Sequence, residues 1–328
     1  MIRLGIIGTN WISKSFLKAA LGTGKYSFSS IFSRNHQTAQ DFCQEMGTAH
    51  IYTDFLEFCE SKDLDMVYIA SPNALHYQQA KALILKNKSV VVEKPAFSNS
   101  EELLEILNLA QTHGVLFFEA ARHIHEANFK ILKEKIAEIG NPIGGYLHYL
   151  QYSSRYDAVL EGEEPNIFSL KFSGGALMDL GVYPLYAAIE LFGMPQTAKY
   201  FARKIQTGVD GIGTIILSYQ TFELTILVGK IARSRAMIEL YGDKATLIAN
   251  SVANIDYIAI DSKNGLTKNL AALPEPLSMI EEAQVFADIF LSRDQQRYEE
   301  LCKLSENVSL LMTALRKDAA IYFPADKR

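Results

Sequence analysis

The sequence predicts an α/β fold in two parts, a parallel sheet with crossover helices followed by a larger, mostly antiparallel open sheet. Short apolar runs alternate with helical patterns as far as about residue 120, which is typical of βαβ units. After residue 122, longer strand patterns follow one another with only turns between many of them, which favours antiparallel pairing. The length of 328 residues is enough for about two domains. We therefore expect domains at residues 1–122 and 123–328.

The elements of the first domain are predicted from apolar periodicity and from residues that favour helix starts. Thr38 is predicted to cap the second helix, and Ser-Asn-Ser-Glu at residues 98–101 is typical of a capping box. Predicted strands occupy residues 2–7, 27–32, 66–70, 89–92 and 116–118, and predicted helices occupy residues 12–21, 38–46, 74–86 and 98–113.

The second domain begins with a predicted helix and continues into the antiparallel sheet. Predicted strands occupy residues 146–153, 198–205, 213–219, 224–229, 236–241 and 245–249. Predicted helices occupy residues 126–138, 175–192, 278–290 and 298–317.

Composition excludes several classes of protein. With 32 basic and 37 acidic residues, the net charge is −5 and no block of like charge stands out, which argues against a nucleic-acid partner. The longest apolar runs are a few residues, so neither a membrane span nor a signal peptide is expected. Cys43, Cys59 and Cys302 are scattered without a Cys-x-x-Cys pair, which is typical of reduced thiols in a cytoplasmic protein.

A glycine turn between the first strand and the first helix is a candidate phosphate-binding loop. Such a loop offers a tight turn and the free N–H groups of a helix N-terminus to a pyrophosphate, which would make the first domain a Rossmann dinucleotide-binding domain. Asn10 and Ser13 stand where the usual pattern has glycine or another small residue, and Asn tolerates a positive φ. For Trp11 two roles are open: its side chain packs over the pyrophosphate, or it caps the helix. The candidate residues are Gly8, Thr9, Asn10, Trp11 and Ile12.

Ser33 and Arg34 end the second strand, where chains that select NAD often carry an acidic residue for the ribose 2′-hydroxyl. A hydroxyl and a guanidinium instead suit a 2′-phosphate. This favours NADP(H), with NAD(H) as the alternative and a solvated loop cation as the plain interpretation of Arg34.

Further motifs occur in a fixed order along the chain. They are Ala-Ser-Pro-Asn at residues 70–73 with His76, Glu-Lys-Pro at 93–95, Gly-Gly-Ala-Leu-Met-Asp-Leu-Gly-Val-Tyr at 174–183, Thr-Gly-Val-Asp at 207–210 and Tyr-Phe-Pro-Ala-Asp-Lys-Arg at 322–328. With the glycine turn, this set resembles the Gfo/Idh/MocA oxidoreductases. The resemblance is closest to the branch of dimeric dihydrodiol dehydrogenase and NADP-dependent D-xylose dehydrogenase.

The resemblance implies a role for each motif. Lys94 would reach the nicotinamide end of the cofactor and the substrate oxygen, Tyr183 would act as acid/base, and Asp179 would lie near both. The bond before Pro95 would be cis, and the open face of the second sheet would form a homodimer. Further cofactor-binding residues would be Ser71, Pro72, Asn73, His76, Glu93, Lys94 and Arg122.

The chemistry of these residues supports the same roles. A tyrosine hydroxyl has an ordinary pKa of about 10, and a nearby lysine cation lowers such a pKa. Asp179 and Tyr183 are four residues apart and share a helix face, and Pro184 should bend that helix. Without a catalytic role, Asp179 would be an acidic residue favoured by the helix dipole, and Tyr183 would be an ordinary core residue.

Residues 119–126 depart from the family pattern, because the arginine has moved to position 122 and the aromatic residue after it is missing. His123 and His125 stand there instead, and no further ligands accompany them, so we expect no metal site.

The sequence as a whole predicts an NAD(P)-dependent oxidoreductase acting on a hydroxyl or carbonyl carbon of a sugar, cyclitol or cyclic diol. One alternative is a non-catalytic dinucleotide-binding regulator of the same fold. Another is an enzyme that uses NAD on a cyclitol. The Lys94 and Tyr183 pair favours an enzyme, since a regulator has no chemical need for it.

Overall fold

The computed structural model describes residues 1–327; Arg328, the last residue of the predicted tail motif, lies outside the described residues. The strands are β1 (Ile2–Ile7), β2 (Tyr26–Phe32), β3 (His50–Tyr52), β4 (Met66–Ile69), β5 (Ser89–Glu93), β6 (Phe117–Ala120), β7 (Pro142–Leu150), β8 (Thr197–Lys204), β9 (Asp210–Ser218), β10 (Glu223–Gly229), β11 (Ile238–Gly242), β12 (Ala245–Ala249), β13 (Ile258–Ser262) and β14 (Gly265–Leu266). The α-helices are α1 (Trp11–Gly22), α2 (His36–Met46), α3 (Phe55–Glu60), α4 (Asn73–Leu85), α5 (Ser100–His113), α6 (Ala127–Lys135), α7 (Arg155–Leu160), α8 (Val182–Phe192), α9 (Ile280–Ser292) and α10 (Gln295–Asp318).

The chain forms two compact units. The first contains residues 1–122 and 275–306, and the second contains residues 123–274 and the chain from Asn307 onward. A continuous second domain over residues 123–328 is therefore wrong for the segment 275–306. The reason is apolar packing: Phe286 of α9 is buried in the core of the first unit, where its ring stacks on that of Phe118 at 4.6 Å.

The first unit is built on a six-stranded sheet in the order β3-β2-β1-β4-β5-β6, and every pairing is parallel. One apolar cluster contains Leu4 with residues of α1, α2 and α9, and the other contains Val67 with residues of α3, α4 and α5. Because both faces are covered, the central strands are apolar almost throughout.

Several predicted boundaries need correction. The predicted helix 38–46 starts at His36 and is capped by Asn35, not by Thr38. The capping box of α5 is shifted by one residue: Asn99 accepts the N–H of Glu102 at 2.9 Å, and Glu102 accepts the N–H of Ser98 at 3.1 Å. The elements β3, α3, α7, β13 and β14 were not predicted; β3 and β14 have three and two residues, and α3 and α7 make less than two helical turns each.

The second unit is built on an eight-stranded sheet in the order β14-β13-β12-β11-β7-β10-β9-β8. Only the pairing of β7 with β10 is parallel, so the predicted mostly antiparallel sheet is confirmed. Strand β7 ends at Leu150 rather than at residue 153, because its pairing with β10 stops there. Burial alternates along the strands: Ile226 is buried, whereas its neighbours Thr225 and Leu227 on the other face are partly exposed.

The segment Leu170–Phe192 is long and apolar enough by composition to cross a membrane, although the sequence alone suggested no such stretch. In the structure, 78% of its most apolar window is buried. The contacts of α8 with β7 within the second unit make this segment a core element of a folded domain.

Candidate active site

The phosphate turn follows β1 and needs a glycine at its first position. Gly8 has a φ of +103°, and a Cβ there would lie 2.9 Å from the carbonyl oxygen of Ala70. The carboxyl ends of β1 and β4 meet at this edge because the two strands pair in parallel. The backbone of the turn can therefore approach a ligand closely, as a pyrophosphate site requires.

Asn10 has a different role from the one its residue type predicts. Its φ is −81°, so the expected positive φ is wrong. The side chain is the N-cap of α1: Oδ1 accepts the N–H of Ser13 at 3.0 Å, and Nδ2 donates to the carbonyl of Ala70 at 2.7 Å. Asn10 thus ties the start of α1 to the end of β4, which holds the turn in place.

Trp11 is the first residue of α1 and is 75% exposed. Since Asn10 caps the helix, the capping interpretation of Trp11 is excluded. Its indole stands beside the helix N-terminus, where N–H groups have no partner within the helix. Thr9 is partly exposed in the same turn, and Ile12 packs against the apolar core behind it.

The ribose end is built from the loop between β2 and α2. The hydroxyl of Ser33 lies 2.9 Å from that of Thr38 and accepts the N–H of Asn35 at 3.3 Å. Arg34 is exposed, and α2 begins two residues later with Asn35 as its cap. A hydroxyl, a guanidinium and a positive helix end in one loop fit a phosphate group.

His76 joins two of the predicted cofactor loops. Its Nε2 lies 2.7 Å from the carbonyl oxygen of Ser71, and its Nδ1 lies 3.1 Å from that of Ala96. Burial lowers the pKa of this imidazole, while its hydrogen bonds to backbone oppose that shift. His76 is fully buried, so it acts on the site through the two loops that it joins, whereas Pro72 and Asn73 start α4 at the partly exposed surface.

Three charged residues meet at the end of β5. Burial raises the pKa of Glu93, while the charges of Lys94 and Arg122 and a hydrogen bond from the Tyr68 hydroxyl oppose that shift. Lys94 is partly buried, and the predicted cis bond between Lys94 and Pro95 is confirmed. The carboxyl end of β5 therefore presents a lysine beside a compensating glutamate.

In the second unit, a buried aspartate fixes the start of the helix that carries Asp179 and Tyr183. Asp210 accepts the N–H of Leu177 and the hydroxyl of Tyr200, both at 2.6 Å. Gly175 has a φ of +121°, and a Cβ there would lie 2.1 Å from Asp210 Oδ1. The motifs at residues 174–183 and 207–210 are thus joined directly, because Asp210 of the second accepts the N–H of Leu177 in the first.

The helix itself changes geometry at the site. Residues Leu177–Gly181 form a π turn that contains Asp179, and α8 begins at Val182 with Tyr183 as its second residue. Pro184, which lacks an N–H, is the third residue of α8. A π turn thus directly precedes the helical turn that contains the proline, and Asp179 and Tyr183 lie about one turn apart.

Aromatic rings surround Tyr183. Its ring centroid lies 4.8 Å from that of His123 and 5.1 Å from that of Tyr149, to which it is nearly perpendicular. His123 Nε2 is also 3.1 Å from the backbone oxygen of Tyr183. Contact on two sides restricts the ring to one orientation. Among the described residues, no group of three or more His, Cys, Asp or Glu side chains could hold a metal.

Asp179 has a partner that the sequence interpretation missed. The Nζ of Lys230 contacts Asp179 Oδ2 and lies 5.2 Å from the ring centroid of Phe168. Lys230 directly follows the apolar strand β10, just as Lys94 follows β5, and this shared pattern was the available signal. The structure thus groups the candidate residues separately in each unit: Lys94 in the first, and Asp179 and Tyr183 in the second.

A parallel sheet in the order 3-2-1-4-5-6, with a glycine turn and a helix N-terminus at its carboxyl edge, defines a dinucleotide-binding protein. Residues 2–121 match the family described as "Oxidoreductase family, NAD-binding Rossmann fold", and residues 129–248 match the "GFO/IDH/MocA C-terminal domain". The chain belongs to the Gfo/Idh/MocA oxidoreductase family, which confirms the resemblance and the predicted fold class.

Relatives match over the full length. The chain is 37% identical over 328 residues to scyllo-inositol 2-dehydrogenase (NADP(+)) IolU of Bacillus subtilis (strain 168), covering 100% of both chains. It is 32% identical to the uncharacterized oxidoreductase YgjR of Escherichia coli (strain K12), covering 99% of both. The structure of KijD10, a 3-ketoreductase from Actinomadura kijaniata in complex with NADP and TDP-benzene, matches with a TM-score of 0.85 at 22% identity over 98% of this chain and 99% of that one.

Proposed function

We propose that the protein is an NADP(H)-dependent oxidoreductase that transfers a hydride between nicotinamide and a hydroxyl-bearing carbon of a sugar, cyclitol or cyclic diol. The observation that carries the proposal is the polar pair Asp179 and Tyr183 on a largely buried, apolar helix segment. Polar groups are costly in a core unless they are hydrogen-bonded or paired, and the side chain of Asp179 is partly exposed, so it could contact a ligand. The relative with 37% identity, a dehydrogenase of a cyclitol that uses NADP(+), supports the substrate class.

The residues of the first unit fit an NADP cofactor. The Gly8 turn and the start of α1 would hold the pyrophosphate, with Trp11 over it, and Ser33 and Arg34 would hold the 2′-phosphate. Loop residues Ser71, Pro72 and Asn73 with Glu93, Lys94 and Arg122 would line the remaining length. When bound, the nicotinamide accepts or donates the hydride.

The proton is handled by the chain's own side chains. In the direction of oxidation, Tyr183 would take the proton from the substrate hydroxyl as the hydride leaves its carbon. Lys94 would bind the substrate oxygen through its ammonium group. Asp179 would accept a hydrogen bond from a substrate hydroxyl and so orient the ring of a polyol.

The test is a screen of sugars, cyclitols and diols in both directions, followed by NADPH absorbance. We expect turnover with at least one polyol and loss of turnover in Lys94→Ala. Binding of NADPH without turnover of any substrate in the screen would instead favour the regulator of the same fold.

Cofactor choice has its own test, because the chain contains a single tryptophan, Trp11, at the proposed pyrophosphate site. Quenching of its fluorescence on titration should give the affinities for NADPH and NADH. We expect Arg34→Ala to weaken NADPH by about 10–100-fold, the size of one lost charge-assisted pair, and to leave NADH unchanged. Lys62→Ala removes another exposed cation of the first unit and is the control. Equal affinities for both cofactors, unchanged in Arg34→Ala, would refute the 2′-phosphate assignment.

We also propose that the open face of the eight-stranded sheet forms a homodimer. Phe201 on the edge strand β8 is 62% exposed, and Leu227 and Ile216 are partly exposed on the same face. Light scattering should give twice the chain mass of 36.7 kDa for the wild type and the single mass for Phe201→Glu. Leu273→Glu, an exposed site outside the sheet, should remain dimeric.

We propose a cytoplasmic location, which the three free cysteines support. Burial raises the pKa of the Cys59 thiol to about 12 and that of Cys302 to about 11. Both thiols therefore stay protonated and unreactive at neutral pH. Thiol labelling after the cells are denatured in acid, which freezes thiol exchange and exposes the buried thiols, should find all three reduced.

A further inference from the structure

Lys230 is a buried lysine for which the motifs of the family assign no role. It directly follows β10, and its side chain is only 2% exposed. Lysines are almost never fully buried without a partner, because an ammonium loses its hydration there. The position of this residue therefore needs a reason.

The backbone and the side chain of Lys230 are both held. Its N–H donates to the carbonyl of Gly211 at 2.8 Å, and its own carbonyl accepts the N–H of Ser153 at 2.9 Å. The stem is buried, and the ammonium contacts Asp179 Oδ2 beside the ring of Phe168. A long flexible side chain is thus restricted to one place.

Asp179 is the more exposed member of this ion pair. Its side chain is 33% exposed, compared with 2% for that of Lys230, so the lysine cannot reach a substrate but the aspartate can. A buried ion pair is weak support for stability, since the cost of removing its charges from water offsets their attraction. An ion pair whose lysine is buried and whose aspartate is accessible suits a carboxylate that must be held in one orientation towards a substrate.

Charge balance points in the same direction. A lone carboxylate on the largely buried, apolar segment that carries Asp179 would be an uncompensated charge. The ammonium of Lys230 compensates that charge, and it also acts on Asp210, whose burial raises its pKa while Lys230 is among the groups that lower it. Asp179 can then orient a substrate as the accessible member of a compensated ion pair.

We propose that Lys230 is a positioning residue of the reaction, which aims the carboxylate of Asp179 at the substrate and compensates its charge. This rests on the proposed function. It predicts that Lys230 acts only through Asp179 and has no effect on cofactor binding.

The experiment is a double-mutant cycle on turnover of the best polyol from the screen. We expect Lys230→Met to lower kcat by about 10–100-fold, a size typical of the coupling between charged residues in contact, with NADPH affinity unchanged. Lys230→Arg should recover part of the rate. In an Asp179→Asn background, Lys230→Met should cost little more, because coupled residues are not additive. Lys171→Met, which removes an exposed lysine over the Phe172 ring, is the control and should be normal.

Several results would overturn the proposal. Normal kcat in Lys230→Met, losses that add to those of Asp179→Asn, or a loss confined to NADPH affinity would each do so and leave the proposed function intact. If Lys230→Met does not fold, Lys230→Gln, which is polar and of similar length, is judged by the same criteria. Absence of turnover in the wild-type chain would overturn this proposal together with the proposed function.

Discussion

Replacement of Asn10 by alanine tests whether this residue holds the phosphate turn as the structure shows. The change removes the N-cap of α1, which is worth about 1 kcal/mol, and the hydrogen bond from Nδ2 to Ala70, which is worth about another 1 kcal/mol. We therefore expect the first unit to lose about 2 kcal/mol of unfolding free energy. For a unit of this size, the midpoint temperature of thermal unfolding should fall by about 4–8 °C.

Urea denaturation followed by far-UV circular dichroism measures the loss. Asn35→Ala is the matched control: Asn35 caps α2 with hydrogen bonds to Gln37 and Thr38, so its loss should cost about 1 kcal/mol. Asn10→Ser keeps the cap and loses the hydrogen bond to Ala70, so it should also cost about 1 kcal/mol.

Asn10→Gly discriminates between two explanations of this position. If asparagine were present because the turn requires a positive φ, glycine would be neutral or stabilising and serine would be costly. With a φ of −81°, serine is tolerated and glycine should lose between about 1 and 1.5 kcal/mol. An Asn10→Gly variant at least as stable as the wild type would refute this account.

Three other predictions concern the core and the site. Burial lowers the pKa of His76, so as the pH falls the unfolded chain binds a proton at this residue before the folded chain does. The unfolding free energy should therefore fall as the pH drops below about 6.5. His76→Gln should reduce this dependence on pH, whereas the exposed His36→Gln should not. Asp326→Asn removes the carboxylate charge and one of the two hydrogen bonds, at 2.6 and 2.7 Å, that Asp326 accepts from the buried Arg316, and it should cost about 3–5 kcal/mol in urea denaturation; a loss below about 1 kcal/mol would show that the ion pair is not needed. Tyr183→Phe should abolish turnover while its circular dichroism spectrum stays that of the wild type, and a near-normal rate would mean that another acid/base acts.

The sequence predicted the first sheet well because its signals are local. A strand such as β1, buried on both faces, is apolar along its length, and β1 was predicted at its observed bounds. The three residues of β3 and the six of α3, which make less than two helical turns, contain too little of a regular apolar pattern to be recognised.

Part of the candidate site could also be proposed from local sequence patterns. Lys94 stood out because a lysine at the end of an apolar strand is unusual, and the same reasoning applied to β10 would have found Lys230. The role of Asn10 could not be predicted, since its second hydrogen bond goes to Ala70, which lies 60 residues away in the chain.

The sequence by itself determined the two-part architecture, the glycine turn after the first strand and the family, because periodicity, glycine turns and ordered motifs are properties of the chain. Only the tertiary structure decided that residues 275–306 return to the first unit, that Asn10 caps α1, and that Asp179 pairs with Lys230. Each of these depends on groups far apart in sequence whose contact is set by packing. Burial and charge compensation act between neighbours in space, and no local pattern records them.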